Sequence, residues 1–174
     1  MSTVSTLWVV LILVAAQRLA ELVHARRNTR RLLAEGGVES GAGHYPLLVG
    51  LHALWLVSLA ASVPAGQPAN WPLLAVFVVL QGLRLWILFS LGRYWTTRIV
   101  TLPGAPLVRR GPYRFLKHPN YLVVAGEIAV LPLAFGAWQI AVIFSLANAA
   151  VLALRIRCEE RALSPRRAAS GSGQ

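Results

Sequence analysis

Acid is what this chain has least of. It contains no aspartate, and its 6 acidic residues stand against 17 lysines and arginines, a net charge of +11. Such an excess could serve nucleic acid. However, 56% hydrophobic residues and a mean hydropathy of +0.59 exceed the roughly 45–50% apolar content of soluble domains. The basic residues are therefore read as marking one face of a membrane protein, with no nucleic-acid partner. Cysteine is nearly absent as well: Cys158 alone excludes an intramolecular disulfide and a multi-cysteine metal site. His44 and His52 have no further ligands at metal-like spacing, so no metal is expected. No GxGxxG loop follows a strand, and the run Gly36–Gly43 does not make one, which disfavours a Rossmann-type site. No basic residue precedes the apolar N-terminus, and its first charge, Arg18, comes after the run. It is read as a retained helix rather than a signal peptide.

Long apolar segments are what the chain does have. Five are legible, at about Val4–Val23, Leu47–Val63, Trp71–Leu91, Tyr121–Phe135 and Trp138–Leu154. A crossing helix needs roughly 20 residues, so the first three qualify. The last two are short: either they extend into their polar flanks, or they form a tight hairpin through Phe135-Gly136-Ala137 that barely crosses. The basic residues fall in the segments His24–His44 and Gly92–Asn120 and in the tail after Leu154. Met1–Thr6, Pro64–Asn70 and the turn at Gly136 carry no charge. Five crossings put every basic segment on one side, with the N-terminus outside and the C-terminus cytoplasmic. The expected fold is an all-α integral membrane protein, a five-transmembrane-helix bundle forming one domain over residues 1–163, followed by a disordered tail over 164–174. The sequence does not fix an oligomeric state.

Four charges fall inside the apolar segments. Charge at the bilayer centre costs about 2.5–3.5 kcal/mol on insertion scales, so each should face a partner or a cavity. Arg18 and Glu21, three residues apart, can pair on one helix face. Arg84 and Glu127 either pair across the bundle, or Glu127 faces a ligand.

Two constellations carry chemistry. Gly111–Tyr121 reads GPYRFLKHPNY, a polar, aromatic, kinked stretch at a membrane boundary, and is followed by Gly126 and Glu127. Arg155-Ile-Arg157-Cys158-Glu159-Glu160-Arg161 follows the last apolar segment, and there Arg155 and Glu159 share a helix face at i, i+4. Alone, the second would read as a salt-bridged helix end. Together, HisProXaaTyr after GlyProTyrArg, a helical hairpin, then ArgXaaArgXaaGluGlu resemble the isoprenylcysteine carboxyl methyltransferase family. The resemblance is strongest over Leu91–Leu163. Arg18, Glu21-Leu22, Arg27-Asn28, His44-Tyr45 and His52 extend it more weakly toward the family's bacterial branch. One position departs: Lys117 stands where the family usually has arginine before HisPro, which keeps the charge and loses the planar fork.

That resemblance implies an S-adenosyl-L-methionine-dependent O-methyltransferase acting at the cytoplasmic face of a bacterial membrane. It implies His118, Pro119 and Tyr121 as cofactor-binding, with Tyr113, Glu127 and Glu160 beside them, and Arg155 and Glu159 as the catalytic pair. The implied acceptor is lipophilic, an isoprenylcysteine-like carboxylate or the acidic enol of a long-chain pyrone, reached among membrane lipids. An anionic acceptor needs no strong base, so positioning is the main task. A phospholipid or other lipid methyltransferase is a second reading. A polybasic membrane scaffold or lipid-binding protein is a third.

Overall fold

The computed structural model describes residues 5–105 and 108–171. The side chains of His44 and of residues 164–171 lie outside that description. Five helices dominate: α1 (Thr6–Ala34), α2 (Tyr45–Ser62), α3 (Trp71–Leu91), α4 (Pro119–Ala134) and α5 (Trp138–Gly171). Two three-residue strands, β1 (Val38–Ser40) and β2 (Ile99–Thr101), pair antiparallel with Glu39 opposite Val100.

The helix ends follow local chemistry. The Asn70 side chain caps α3 by accepting from the Leu73 N–H at 3.1 Å. Pro119 opens α4; its ring sets a helical φ and needs no amide partner there. It also drives the preceding residue out of the helical region, and His118 has φ −132° and ψ 58°. At the other end of α4, Gly136 takes φ +72°. Its N–H donates to Leu133 and that of Ala137 donates to Pro132, the left-handed closure that satisfies a helix's last carbonyls. The chain reverses there and α5 packs back along α4.

Four helices are long and apolar enough to cross a membrane, while α4, at 16 residues, is shorter. The core is apolar and includes Leu7, Trp55, Leu59, Phe77, Ile128 and Leu131. Large apolar side chains also face outward, among them Leu13, Val78, Phe89 and Leu146. A water-facing surface does not carry such a belt, whereas lipid accommodates it. The molecule is a helical membrane protein.

α5 does not end with its apolar stretch: the helix continues past Leu154 through the charged segment that follows, so the last apolar run extends into its polar flank. The helix is described through Gly171, and residues 172–174 lie outside the described ones. Arg166–Ala169 are good helix formers and follow directly on a formed helix, so no new nucleus is required. α1 likewise runs to Ala34, beyond the limit near Val23 set by hydropathy, because arginine favours helix while ending an apolar pattern.

Candidate active site

The GPYRFLKHPNY stretch is fixed to the end of α3. Gly111 takes φ +57°, and a Cβ there would lie 2.1 Å from Ser90 Oγ, so no side chain fits. Arg110 Nε donates to the Ser90 carbonyl at 2.7 Å. The next residues, Gly111–Arg114, form one 3-10 turn. Tyr113 packs beside Ile87 and Trp95, and the chain then reaches His118 and α4.

Tyr113, His118, Tyr121, Arg155 and Glu159 line one cavity of about 500 Å3, within the range of small-molecule sites. The His118 and Tyr121 rings stack with centroids 5.4 Å apart and planes 18° apart. The Tyr121 hydroxyl donates to Glu159 Oε2 and accepts from Arg155 Nε at 3.1 Å. Arg155 Nη2 donates to the Thr97 carbonyl at 2.7 Å. The guanidinium is thus held at two points and is buried. His118 Nδ1 lies 3.7 Å from Glu159 Oε2. His118 Nε2 lies 3.5 Å from Glu160 Oε1 yet is buried without a hydrogen bond. Asn120 Oδ1 is a second buried polar atom without a hydrogen-bond partner, on a residue of the cavity wall. Burial first, and the Glu159 carboxylate second, push the Tyr113 phenol above its ordinary range, so it is a neutral donor rather than a base.

Of the expected residues, Pro119 is buried and acts through the backbone by starting α4. Glu160 stands beside His118 on the outer side and is half exposed. Glu127 is elsewhere. It is buried in a cluster with Arg18 Nη2 at 2.7 Å and Arg84 Nη1 at 3.4 Å, and it does not line the cavity. Of the two expectations for it, the pairing across the bundle is the one seen: two arginines meet its charge inside the bundle. Glu21 completes the group, held by Arg84 Nε and Nη2 at 2.7 and 2.5 Å and by Arg18 Nη1 at 3.1 Å. Two cations and two anions cancel. The expected Arg18–Glu21 pair is present, and Arg84 does reach Glu127.

Sequence reasoning missed the wall opposite α4. Trp95, Thr96 and Arg98 line the cavity. Asn28 Nδ2 donates to the Gly92 and Trp95 carbonyls at 3.1 and 2.9 Å, pinning that strand entrance to α1. Arg84 lies over the Trp95 ring, 5.8 Å from its centroid. One signal existed: a buried-type polar residue, Asn28, between arginines on a helix.

This arrangement defines a helical membrane protein with a polar, aromatic cavity where α4 begins and α5 leaves its apolar part. The family model described as the isoprenylcysteine carboxyl methyltransferase (ICMT) family matches residues 73–165, and the chain belongs to that family. An uncharacterized Bacillus subtilis protein, YpbQ, is 42% identical over 160 residues, covering 90% of this chain and 95% of its own. An uncharacterized Haemophilus influenzae protein is 25% identical over 158 residues, covering 87% and 91%. Both are bacterial, consistent with a bacterial branch. No solved structure matches. Membership points to methyl transfer at a membrane.

Proposed function

We propose that this protein transfers a methyl group from S-adenosyl-L-methionine to an oxygen of a lipophilic acceptor, a carboxylate or an acidic enol, at the cytoplasmic face of a bacterial membrane. The observation that carries this reading is the convergence of Tyr113, His118, Tyr121, Arg155 and Glu159 on one cavity.

The donor set fits the cofactor. Aromatic faces and the Glu159 carboxylate suit a sulfonium. Arg109 and Lys117, also on the wall, suit an amino-acid carboxylate. The orphaned Asn120 Oδ1 and His118 Nε2 offer polar contacts to an adenine or an ammonium group. When bound, the cofactor supplies an electrophilic methyl on positively charged sulfur. The chain supplies position. Arg155, held by Tyr121 and the Thr97 carbonyl, orients the acceptor oxygen. Glu159, held by Tyr121, faces the sulfonium side. Residues 1–163 act as one unit, with the N-terminus outside and the site inside; the neutral loop 64–70 and the arginine-rich opposite ends support that orientation.

The test is binding of S-adenosylhomocysteine to purified protein in detergent, followed by transfer of labelled methyl to lipid extracts. Saturable micromolar binding, and a lipid heavier by one methylene only in cells carrying the protein, support the reading. Absence of binding favours a polybasic scaffold instead.

A further inference from the structure

α1 is longer than its apolar part. From Thr6 to Val23 it rises about 27 Å, close to a hydrocarbon layer of roughly 30 Å, yet the helix runs on to Ala34. Its outward stripe is apolar first: Ile12, Ala16, Leu19 and Val23 are exposed, at helical spacing. Arg26, Arg27, Arg30 and Arg31 continue the same stripe and are all exposed. The opposite face stays buried, at Glu21, Ala25, Asn28, Thr29 and Leu32.

The rotation of α1 about its axis is fixed at this level. Asn28 Nδ2 donates to the Gly92 and Trp95 carbonyls at 3.1 and 2.9 Å, and Ala25 is buried in a cluster with Ile87, Trp95 and Val123. With that face held inward, the four guanidiniums stand outward on a rigid helix. Arg26 to Arg31 covers about 8 Å of helix axis. One headgroup layer is about 5–8 Å deep, half the difference between a whole bilayer of roughly 40–45 Å and its core of roughly 30 Å. The arginines therefore span about the depth of one headgroup layer, beginning one turn beyond the apolar stripe.

The chain has no anion to give them. Of its 6 acids, Glu21 and Glu127 are met by Arg18 and Arg84. Glu35 pairs with Arg93, and Glu39 with Arg98. Glu159 accepts from Tyr121, and Glu160 stands beside His118. Among the described residues, no ion pair involves Arg26, Arg27, Arg30 or Arg31. Arg26 with Arg30, and Arg27 with Arg31, are like charges one turn apart, which destabilise a helix. An anion from outside the chain relieves that repulsion.

We infer that this arginine face is a binding site for anionic phospholipid, a lipid whose headgroup phosphate has no ammonium of its own to offset it. Acyl chains lie along Leu19 and Val23, and the phosphate meets the guanidiniums that follow on the same stripe. The arginine fork suits paired phosphate oxygens, and a cluster of four basic residues directly beyond a crossing helix attracts an anionic leaflet. A zwitterionic headgroup brings its own cation and gains less. Nucleic acid needs a basic face clear of the membrane, whereas this one is continuous with the lipid-facing stripe. None of the four arginines lines the cavity at His118, so the site is separate from the proposed methyl-transfer centre and independent of that reading.

The probes are phosphatidylglycerol and phosphatidylcholine with identical acyl chains, offered in equal amounts to the full-length protein in detergent and counted by native mass spectrometry. Expected is retention of phosphatidylglycerol at least fivefold over phosphatidylcholine. Arg26→Gln with Arg30→Gln lowers that ratio at least twofold. Arg114→Gln with Arg157→Gln removes the same charge from other exposed positions and leaves the ratio unchanged. Lysine at positions 26, 27, 30 and 31 keeps the charge and most of the preference. A second measurement needs no variant: phosphatidylglycerol with a diazirine near the head of one acyl chain, in nanodiscs, is expected to crosslink to α1 between Leu19 and Leu33. The inference is overturned if the two lipids are retained equally, if both glutamine pairs lower the ratio alike, or if the crosslinks fall on other helices. An oligonucleotide retained through the same four arginines in nanodiscs assigns the face to nucleic acid and overturns it as well.

Discussion

Tyr121 and Glu159 are joined by a hydrogen bond that ties the first turn of α4 to α5 beyond its most apolar stretch. Because the same hydroxyl accepts from Arg155, one phenol holds both members of the proposed catalytic pair. Tyr121→Phe keeps the ring stacked on His118 and removes both bonds. Each side-chain bond is worth about 1–3 kcal/mol when its partner is left buried. Methyl transfer is expected to fall ten- to a hundredfold, with weaker S-adenosylhomocysteine affinity read by calorimetry. Undiminished turnover would remove Tyr121 from the site.

Arg155 uses two separate nitrogens, on Tyr121 and on the Thr97 carbonyl. Lysine carries the charge on one nitrogen and cannot span both. Arg155→Lys is expected to lose nearly as much turnover as Arg155→Ala. Labelled-methyl transfer at saturating donor separates the two cases, and restoration by lysine would reduce the role of Arg155 to charge alone.

Glu127 is matched against Arg18 and Arg84 inside the bundle. Removing one partner of a buried ion pair costs about 3–5 kcal/mol. Glu127→Ala is expected to lower the melting temperature markedly, whereas Glu127→Gln, which keeps the shape and part of the hydrogen bonding, costs less. A thermal melt in detergent tests this. An unchanged melt with lost cofactor binding would return Glu127 to the cofactor site.

Gly111 has no room for a side chain against Ser90 and holds a positive φ. Gly111→Ala is expected to loosen the whole 111–118 stretch and weaken S-adenosylhomocysteine binding. Adding Ser90→Gly removes the clash but not the backbone strain, so rescue is partial. Full binding by the single variant, measured by titration, contradicts the packing described.

The raised Tyr113 phenol links folding to alkaline pH. Its folded value lies above its ordinary 10.0, so the folded protein holds the proton more tightly. The corresponding stability is whole below that ordinary value and is lost as pH climbs through the folded one. Denaturation followed across the alkaline range should show a decline that Tyr113→Phe reduces. An identical decline in the variant would mean that the phenol is not buried as described.

The apolar runs located all five helices, and α3 matches its expected bounds, Trp71–Leu91, at both ends. The two motifs do meet, because the closure at Gly136 returns α5 along α4 and so brings Glu159 to His118. Other features were not legible. β1 and β2 hold three residues each, too few to show alternation, and their pairing spans the chain from α1 to the motif. The partner of Glu127 depends on helix rotation, which spacing does not give: both the bundle interior and the cavity lay within reach. Thr97 contributes a carbonyl, and a backbone group leaves no mark in composition.

The tight reversal at Gly136 also fixes how little of α4 there is. Sixteen residues rise about 24 Å, against a hydrocarbon layer about 30 Å thick. A helix this short, if it crosses, is matched by a locally thinner bilayer, by snorkelling flanks or by association with neighbours. In the first case headgroups and water would stand closer to His118, and the thickness of the host bilayer would set how wet the proposed donor site is.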